Sequence, residues 1–128
     1  MGTRIHIVVS VGELLDKISI LQIKAQRITD SNKLRNVRNE LESLTQTRDS
    51  NITICREAAA LCDDLHDVNS SLWDVEDAIR DCERRSDFGA EFIDLARSVY
   101  KFNDRRSRIK SRLNGLFKSD IVEEKSYT

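Results

Sequence analysis

No proline occurs anywhere in the 128 residues of this chain, and there are only four glycines. A sheet-rich domain needs turn residues roughly every 8–12 positions, far more than this sequence supplies. Nothing, on the other hand, stops a long helix. Hydrophobic residues make up 39% and charged residues 34% of the chain, enough apolar material for one core beneath a heavily charged surface. The expected fold is all-α: a single domain over 1–128, built as an antiparallel bundle of about four helices.

Helical periodicity locates the elements. Residues 4–9, Arg-Ile-His-Ile-Val-Val, are β-branched and extended in character, suited to a short strand or an arm. Ser10-Val-Gly-Glu13 has capping-box spacing and predicts a first helix over about 11–28, with Leu14, Ile18, Leu21, Ala25 and Ile28 on one face. Asp30-Ser-Asn32 supplies caps for a second helix, about 32–47, whose Leu34, Val37, Leu41 and Leu44 repeat at 3-4-3 spacing. Thr47–Asn51 is read as a turn. A third helix, about 52–84, is apolar at Ile54, Ala58, Leu61, Leu65, Val68, Leu72, Val75 and Ile79. Ser86-Asp87 caps a fourth, about 88–118, with Phe92, Leu95, Val99, Phe102, Ile109, Leu113 and Phe117 inward. Residues 119–128 form a polar tail. Short connections make an up-down arrangement the simplest packing.

Composition narrows the function classes. A formal net charge of −1 gives no overall attraction to nucleic acid or anionic lipid. No apolar run approaches the roughly 18 residues of a membrane span. The first residues lack a signal-peptide core, and His6 stands where myristoylation requires Ser or Thr. A cytoplasmic protein with neither a membrane nor a nucleic-acid partner is expected. Cys55, Cys62 and Cys82 form no CxxC pair and read as reduced residues of helices. The glycosylation sequons at Asn51 and Asn69 then carry no meaning.

The informative residues are polar groups on the apolar side of helices. At about 100° per residue, Asn69, Trp73, Glu76 and Arg80 form a stripe bordering the Leu65/Leu72/Ile79 seam. Asn103, Arg106 and Lys110 share the arc of Phe92, Val99 and Phe117. Lys17 and Lys24 lie between the Leu14/Ile18/Leu21 face and Ile20/Ile23, a placement that predicts half-burial. Isolated buried charges cost several kcal/mol, so Glu76 is expected to meet Arg106 or Lys110, with Asn69 or Asn103 satisfying the remaining donors. Such a layer has two readings. One is a salt-bridge network that fixes helix register. The other is a cationic pocket for a phosphate, carboxylate or sugar phosphate, since Lys17, Lys24, Arg80, Arg106 and Lys110 outnumber Glu76 and Glu13. Trp73 packs in the core or stacks on a base or sugar ring.

Enzyme chemistry is harder to locate. His6 and His66 read as surface residues, no serine has a base beside it, and no glycine-rich phosphate loop exists. Glu13-x-x-Asp16 and Asp74/Glu76/Asp77 resemble the ExxD elements of helical nucleotide pyrophosphatases. Glu13, however, is assigned to the capping box, and Asp74 and Asp77 point away from Glu76 on the helical wheel. No metal site and no cofactor are assigned. The outward stripe Arg97, Lys101, Arg105, Arg108 and Arg112 reads as a solvated face, interrupted by Asp94 and Asp104.

Three stretches go beyond periodicity: Val9-Ser-Val-Gly-Glu-Leu-Leu-Asp-Lys-Ile-Ser-Ile-Leu-Gln-Ile-Lys24, Val68-Asn-Ser-Ser-Leu-Trp-Asp-Val-Glu-Asp-Ala-Ile-Arg80, and Asp87-Phe-Gly-Ala-Glu-Phe92 with Ala96-Arg-Ser-Val-Tyr100 and Asn103-Asp-Arg-Arg106. With Ile121–Tyr127 they resemble a family of short bacterial helical proteins of unknown function. The 45–62 region matches it poorly. A second uncharacterised helical family is similar around Asp16–Leu21 and Leu72–Asp77. The resemblance implies no reaction and only a loose link to glycan chemistry. It singles out Glu13, Asp16, Lys17, Lys24, Asn69, Trp73, Glu76, Asp77, Arg80, Asn103 and Arg106.

The sequence thus points to a small helical binding or interaction protein with an anion site formed by Lys17, Lys24, Asn69, Trp73, Glu76, Arg80, Asn103, Arg106 and Lys110. Ile20, Ile23 and the apolar arm further suggest self-association or a protein partner. The alternatives are a metal-dependent phosphohydrolase acting on nucleotides or sugar nucleotides, and a structural subunit without a ligand.

Overall fold

The computed structural model describes residues 2–126; Met1 and Tyr127–Thr128, the ends of the expected domain and tail, lie outside them. Four helices follow one another: α1 Val11–Arg27, α2 Ser31–Asn51, α3 Arg56–Arg84 and α4 Ala90–Leu116.

Helix α1 is central. It contacts all three other helices, α3 and α4 pair along their length, and α2 touches α1 alone among the helices. The molecule is therefore the expected all-α bundle of four helices, arranged as a three-helix core of α1, α3 and α4 with α2 laid on the outside of α1. Two buried faces on α1 account for this arrangement. Leu15, Asp16, Ser19 and Ile23 are buried, and Leu15 belongs to the core cluster with Ala58, Leu61, Leu65, Val68, Ile109 and Leu113. Leu14, Ile18 and Leu21 are also buried but lie outside that cluster, as does Val37, the one buried residue of α2. Since α1 is the only helix that α2 meets, these side chains form its seam.

In α3 the apolar positions 58, 61, 65, 68, 72, 75, 79 and 82 alternate steps of three and four, the spacing of a coiled-coil seam. In α4 the positions 92, 95, 99, 102, 106, 109, 113 and 116 do the same, and Arg106 takes one of those slots. Where α1 covers this hairpin, Leu65 and Leu113 are wholly buried, each worth about 1.5–3 kcal/mol. Beyond Asn69 on α3 only Cys82 is buried, and on α4 nothing before Ile109 is. Leu72, Val75, Ile79, Phe92, Leu95, Val99 and Phe102, expected inward, are only half-buried, because over this stretch a groove opens between the hairpin and α1, which then ends at Arg27.

Several boundaries differ from expectation. Thr47–Asn51 is helical. Its polar side chains bond back along the helix, Thr47 Oγ1 to the Ser43 carbonyl at 3.1 Å and Asn51 Nδ2 to the Thr47 carbonyl at 2.7 Å. The break falls at Ile52–Cys55, where the backbone is extended at both ends and Ile52 and Ile54 pack against the core. Helix α4 starts at Ala90, with Gly89 as its cap. Ser86 instead takes a positive φ of 52° and ends α3: the Asp87 amide donates to the Cys82 carbonyl and the Ser86 amide to the Glu83 carbonyl, a pattern usually built on glycine. Residues 4–9 form no strand among the described residues. They are an exposed arm, with Ile5, Ile7 and Val8 all more than three-quarters accessible.

The tail, in contrast, is engaged. Ser119 Oγ accepts from the Val11 amide at 3.1 Å, and Ser10 Oγ donates to Glu123. Ser10 Oγ also accepts from the Glu13 amide at 3.0 Å, and the Gly12 amide donates to Asn114 Oδ1 at 2.7 Å. The first three amides of α1, which have no partner within the helix, are thus satisfied. The capping box is only half made, because the Glu13 carboxylate turns to Lys110 instead.

Candidate functional site

Gly12, Asp16, Ser19 and Ile23 recur at 4-3-4 spacing on α1 and are all buried. This stripe meets α4, with Gly12 at Asn114 and Asp16 at Arg106, and it meets α3 through Asn69. Its chemistry centres on Asp16, 1% exposed. Arg106 grips it with two bonds, Nε to Oδ1 at 2.9 Å and Nη2 to Oδ2. Asn69 Nδ2 adds a bond to Oδ1 at 2.9 Å and reaches Ser19 Oγ at 3.3 Å. Lys110 bonds Glu13 at 2.7 Å and stands 3.9 Å from Asp16 Oδ2. The hydrogen bond to Asp16 raises the Arg106 pKa above the ordinary arginine value, against a smaller opposing effect of burial. No buried side-chain polar atom among the described residues lacks a partner.

The polar layer therefore exists, but its acid is Asp16. Glu76, the acid expected there, is exposed and pairs with neither Arg106 nor Lys110. Burial decides the difference: a carboxylate inside the α1/α3/α4 core must be paired, whereas Glu76 lies on the open groove between α3 and the C-terminal half of α1. Lys17 is also corrected. It is exposed, on the arc left between the two buried faces of α1. The sequence signal that would have found Asp16 is its place in the Gly12/Ser19/Ile23 stripe.

Above this layer a groove of about 420 Å³ opens between the C-terminal half of α1 and the α3/α4 hairpin. It is lined by Lys24, Asn69, Trp73, Glu76, Arg80, Asn103 and Arg106, together with Ile20, Ile23, Leu72 and Asp77. Seven of the nine residues singled out from sequence thus share one concave surface, and Lys17 and Lys110 are outside it. Asp77, expected to point away from Glu76, lines the same groove. Asp74 leaves it to pair with Arg27, whose guanidinium lies 5.8 Å from the Trp73 ring centroid. The position of Arg27 was not apparent from sequence. Ile23 is buried within its own chain and Ile20 half-buried in the groove, so neither remains as the exposed patch that suggested a partner.

The electrostatics also change. Lys110 is bound to Glu13, and Arg106 to Asp16, which leaves Lys24 and Arg80 facing Glu76 and Asp77. The expected cationic excess becomes a balanced set of two cations and two carboxylates. The Glu13-x-x-Asp16 pair is held by the cations of α4. Among the described residues no three His, Cys, Asp or Glu side chains form a metal-holding group, and no helix is long and apolar enough to cross a membrane.

A two-faced central helix, a buried carboxylate held by the seam arginine of a helical hairpin, and a polar groove above them define a small all-α domain with a concave polar site. The chain belongs to a family of unknown function, DUF6165, whose model matches residues 5–128. No curated protein and no solved structure matches it.

Proposed function

We propose that this protein is a non-catalytic binding protein whose groove takes a small ring compound bearing both hydroxyls and an anionic group, of the sugar-phosphate or nucleotide type. The observation that carries this reading is the contrast between two levels of the site. In the buried layer every polar side chain is partnered. Around the groove, Lys24, Glu76, Asp77 and Arg80 make no ion pair among the described residues.

Both signs of charge then have a use. Lys24 and Arg80 suit a phosphate oxygen, while Glu76 and Asp77 accept hydrogen bonds from hydroxyls. Two of the Arg106 nitrogens are committed to Asp16, and Nη1 lies 3.5 Å from Asn103 Oδ1. That nitrogen and the Asn103 side-chain amide supply further hydrogen-bond donors between the charged rims. Leu72 and Trp73 offer an apolar and an aromatic surface for the ring. Inorganic phosphate alone would use the cations and leave the carboxylates unused.

A thermal-shift and calorimetric screen of sugar phosphates, nucleotides, neutral sugars and inorganic phosphate tests the reading. Ligand at 100 times its dissociation constant adds about 2.7 kcal/mol. Sugar phosphates or nucleotides should raise the melting temperature, and Arg80→Ala and Trp73→Ala should abolish the shift. If the folded wild type responds to none of these classes, the proposal fails.

A further inference from the structure

The net charge of −1 conceals a separation between two neighbouring helices. Helix α3 carries nine acidic and three basic side chains, and α4 seven basic and three acidic. At about 100° per residue, Asp63 and Asp67 fall on one stripe of α3, with Asp64 beside it; Asp74 and Asp81 continue the stripe but are taken by Arg27 of α1 and by Arg84 and Arg85. Arg97, Lys101, Arg105, Arg108 and Arg112 fall on one stripe of α4. Across the seam a second groove, about 300 Å³, has Asp64 and Asp67 on one wall, Arg105, Arg108 and Arg112 on the other, and Val68 and Ile109 at its floor. Asn69 and Arg106, the next residues round each helix, bond Asp16 of α1, so this groove is on the side of the hairpin away from α1 and the ligand groove.

None of the five α4 cations makes an ion pair among the described residues, and neither do Asp63, Asp64 and Asp67. The two ridges also match along the hairpin axis. Asn69 and Arg106 mark one level because both bond Asp16. Asp63 lies six residues before Asn69 and Arg112 six after Arg106, about 9 Å in the same direction at 1.5 Å per residue. Arg97 falls by the same count at the level of Ala78, near Asp77 and Asp81.

We propose that this face binds a second copy of the chain. A two-fold axis parallel to the hairpin lays the acidic α3 ridge of each copy on the basic α4 ridge of the other. Axial levels are preserved, so Asp63 and Asp67 meet Arg108 and Arg112, and the relation is closed and self-complementary. The result is a four-helix arrangement whose neighbours are all antiparallel, with Val68 and Ile109 at its centre. A phosphate polymer fits this face less well, because Asp64 and Asp67 form one wall of the groove it would occupy.

Analytical ultracentrifugation across ionic strength tests the contact, since exposed ion pairs weaken as salt screens them. The wild-type chain should sediment as a dimer at low salt and shift to monomer at high salt. Arg105→Glu with Arg108→Glu, and separately Asp64→Lys with Asp67→Lys, should each give a folded monomer, all four positions being exposed. Mixing the two variants should restore a dimer, because each then offers the ridge the other needs. A wild type monomeric at low salt, a mixture that stays monomeric, or a monomer that binds a single-stranded oligonucleotide through Arg105 and Arg108 would overturn the proposal.

Discussion

Gly12 donates its amide to Asn114 Oδ1 at 2.7 Å, while its α-carbon rests so close to α4 that an added methyl would stand 2.6 Å from the Lys110 carbonyl. The close approach of α1 and α4 depends on this missing side chain. In an ordinary helix Gly→Ala gains close to 1 kcal/mol. Here the neighbour is backbone and cannot rotate away, so Gly12→Ala should cost about 1–3 kcal/mol by overpacking. Chemical denaturation would show a lowered midpoint; an unchanged or raised one would contradict the close approach.

Arg106→Ala leaves Asp16 buried with only Asn69 and the more distant Lys110 beside it. Breaking a buried pair from one side costs about 3–5 kcal/mol, and the variant should lose stability on that scale. Asp16→Leu combined with Arg106→Leu should recover much of it, because neither charge is then stranded. Equal losses in the single and double variants would show that the pair is not the source of the effect.

The cap of α1 is built from both ends of the chain. Ser10→Ala removes the acceptor for the Glu13 amide and the donor to Glu123, and loss of such a cap costs typically about 1 kcal/mol. Ser119→Ala should act more locally, freeing the Val11 amide. Amide hydrogen exchange should speed up in residues 11–13 in both variants, with little change in α3.

Burial pushes the thiols of Cys82 and, against the opposing field of Arg48, Cys62 above the ordinary cysteine value, whereas Cys55 is exposed at the start of α3. A raised pKa leaves less of the reactive thiolate at any pH below it. Maleimide labelling near neutral pH should therefore modify Cys55 first and Cys62 later, with Cys82 reacting only as the chain unfolds. Raising the pH toward 9 should accelerate Cys62 while Cys82 stays protected by burial. Early modification of Cys82 would mean that the far end of the hairpin opens.

The helices were legible because proline is absent and the apolar steps of three and four persist through α3 and α4. The groove was legible for the same reason: Asn69, Trp73, Glu76 and Arg80 run beside the apolar seam at the same intervals. The partner of each charge was not. Asp16 and Glu76 are both acids near apolar seams, and periodicity gives the phase of a residue on its helix but not how far a neighbouring helix extends. Asp16 falls where α1 lies directly on the hairpin, and Glu76 where the groove opens between them. The break at Ile52–Cys55 was misplaced for a related reason, since Thr47–Asn51 looks like a turn until its side chains are seen bonding along the helix.

The pairing of Gly12 with Asn114 and of Ser10 with Glu123 spans more than a hundred residues, and this shapes how the chain acquires its fold. Helices α3 and α4 are joined by a short turn and can pair at low loop-closure cost, whereas α1 finds its seat only when the C-terminal residues are present. During synthesis Asp16 is made early and its arginine late, so the first hairpin must wait with an apolar face and an unpaired carboxylate exposed. Contacts of such long sequence separation form late and slow the overall rate. The kinetic bottleneck should be the docking of the α1/α2 unit, and substitutions at Gly12 or Asp16 should slow folding as well as speed unfolding.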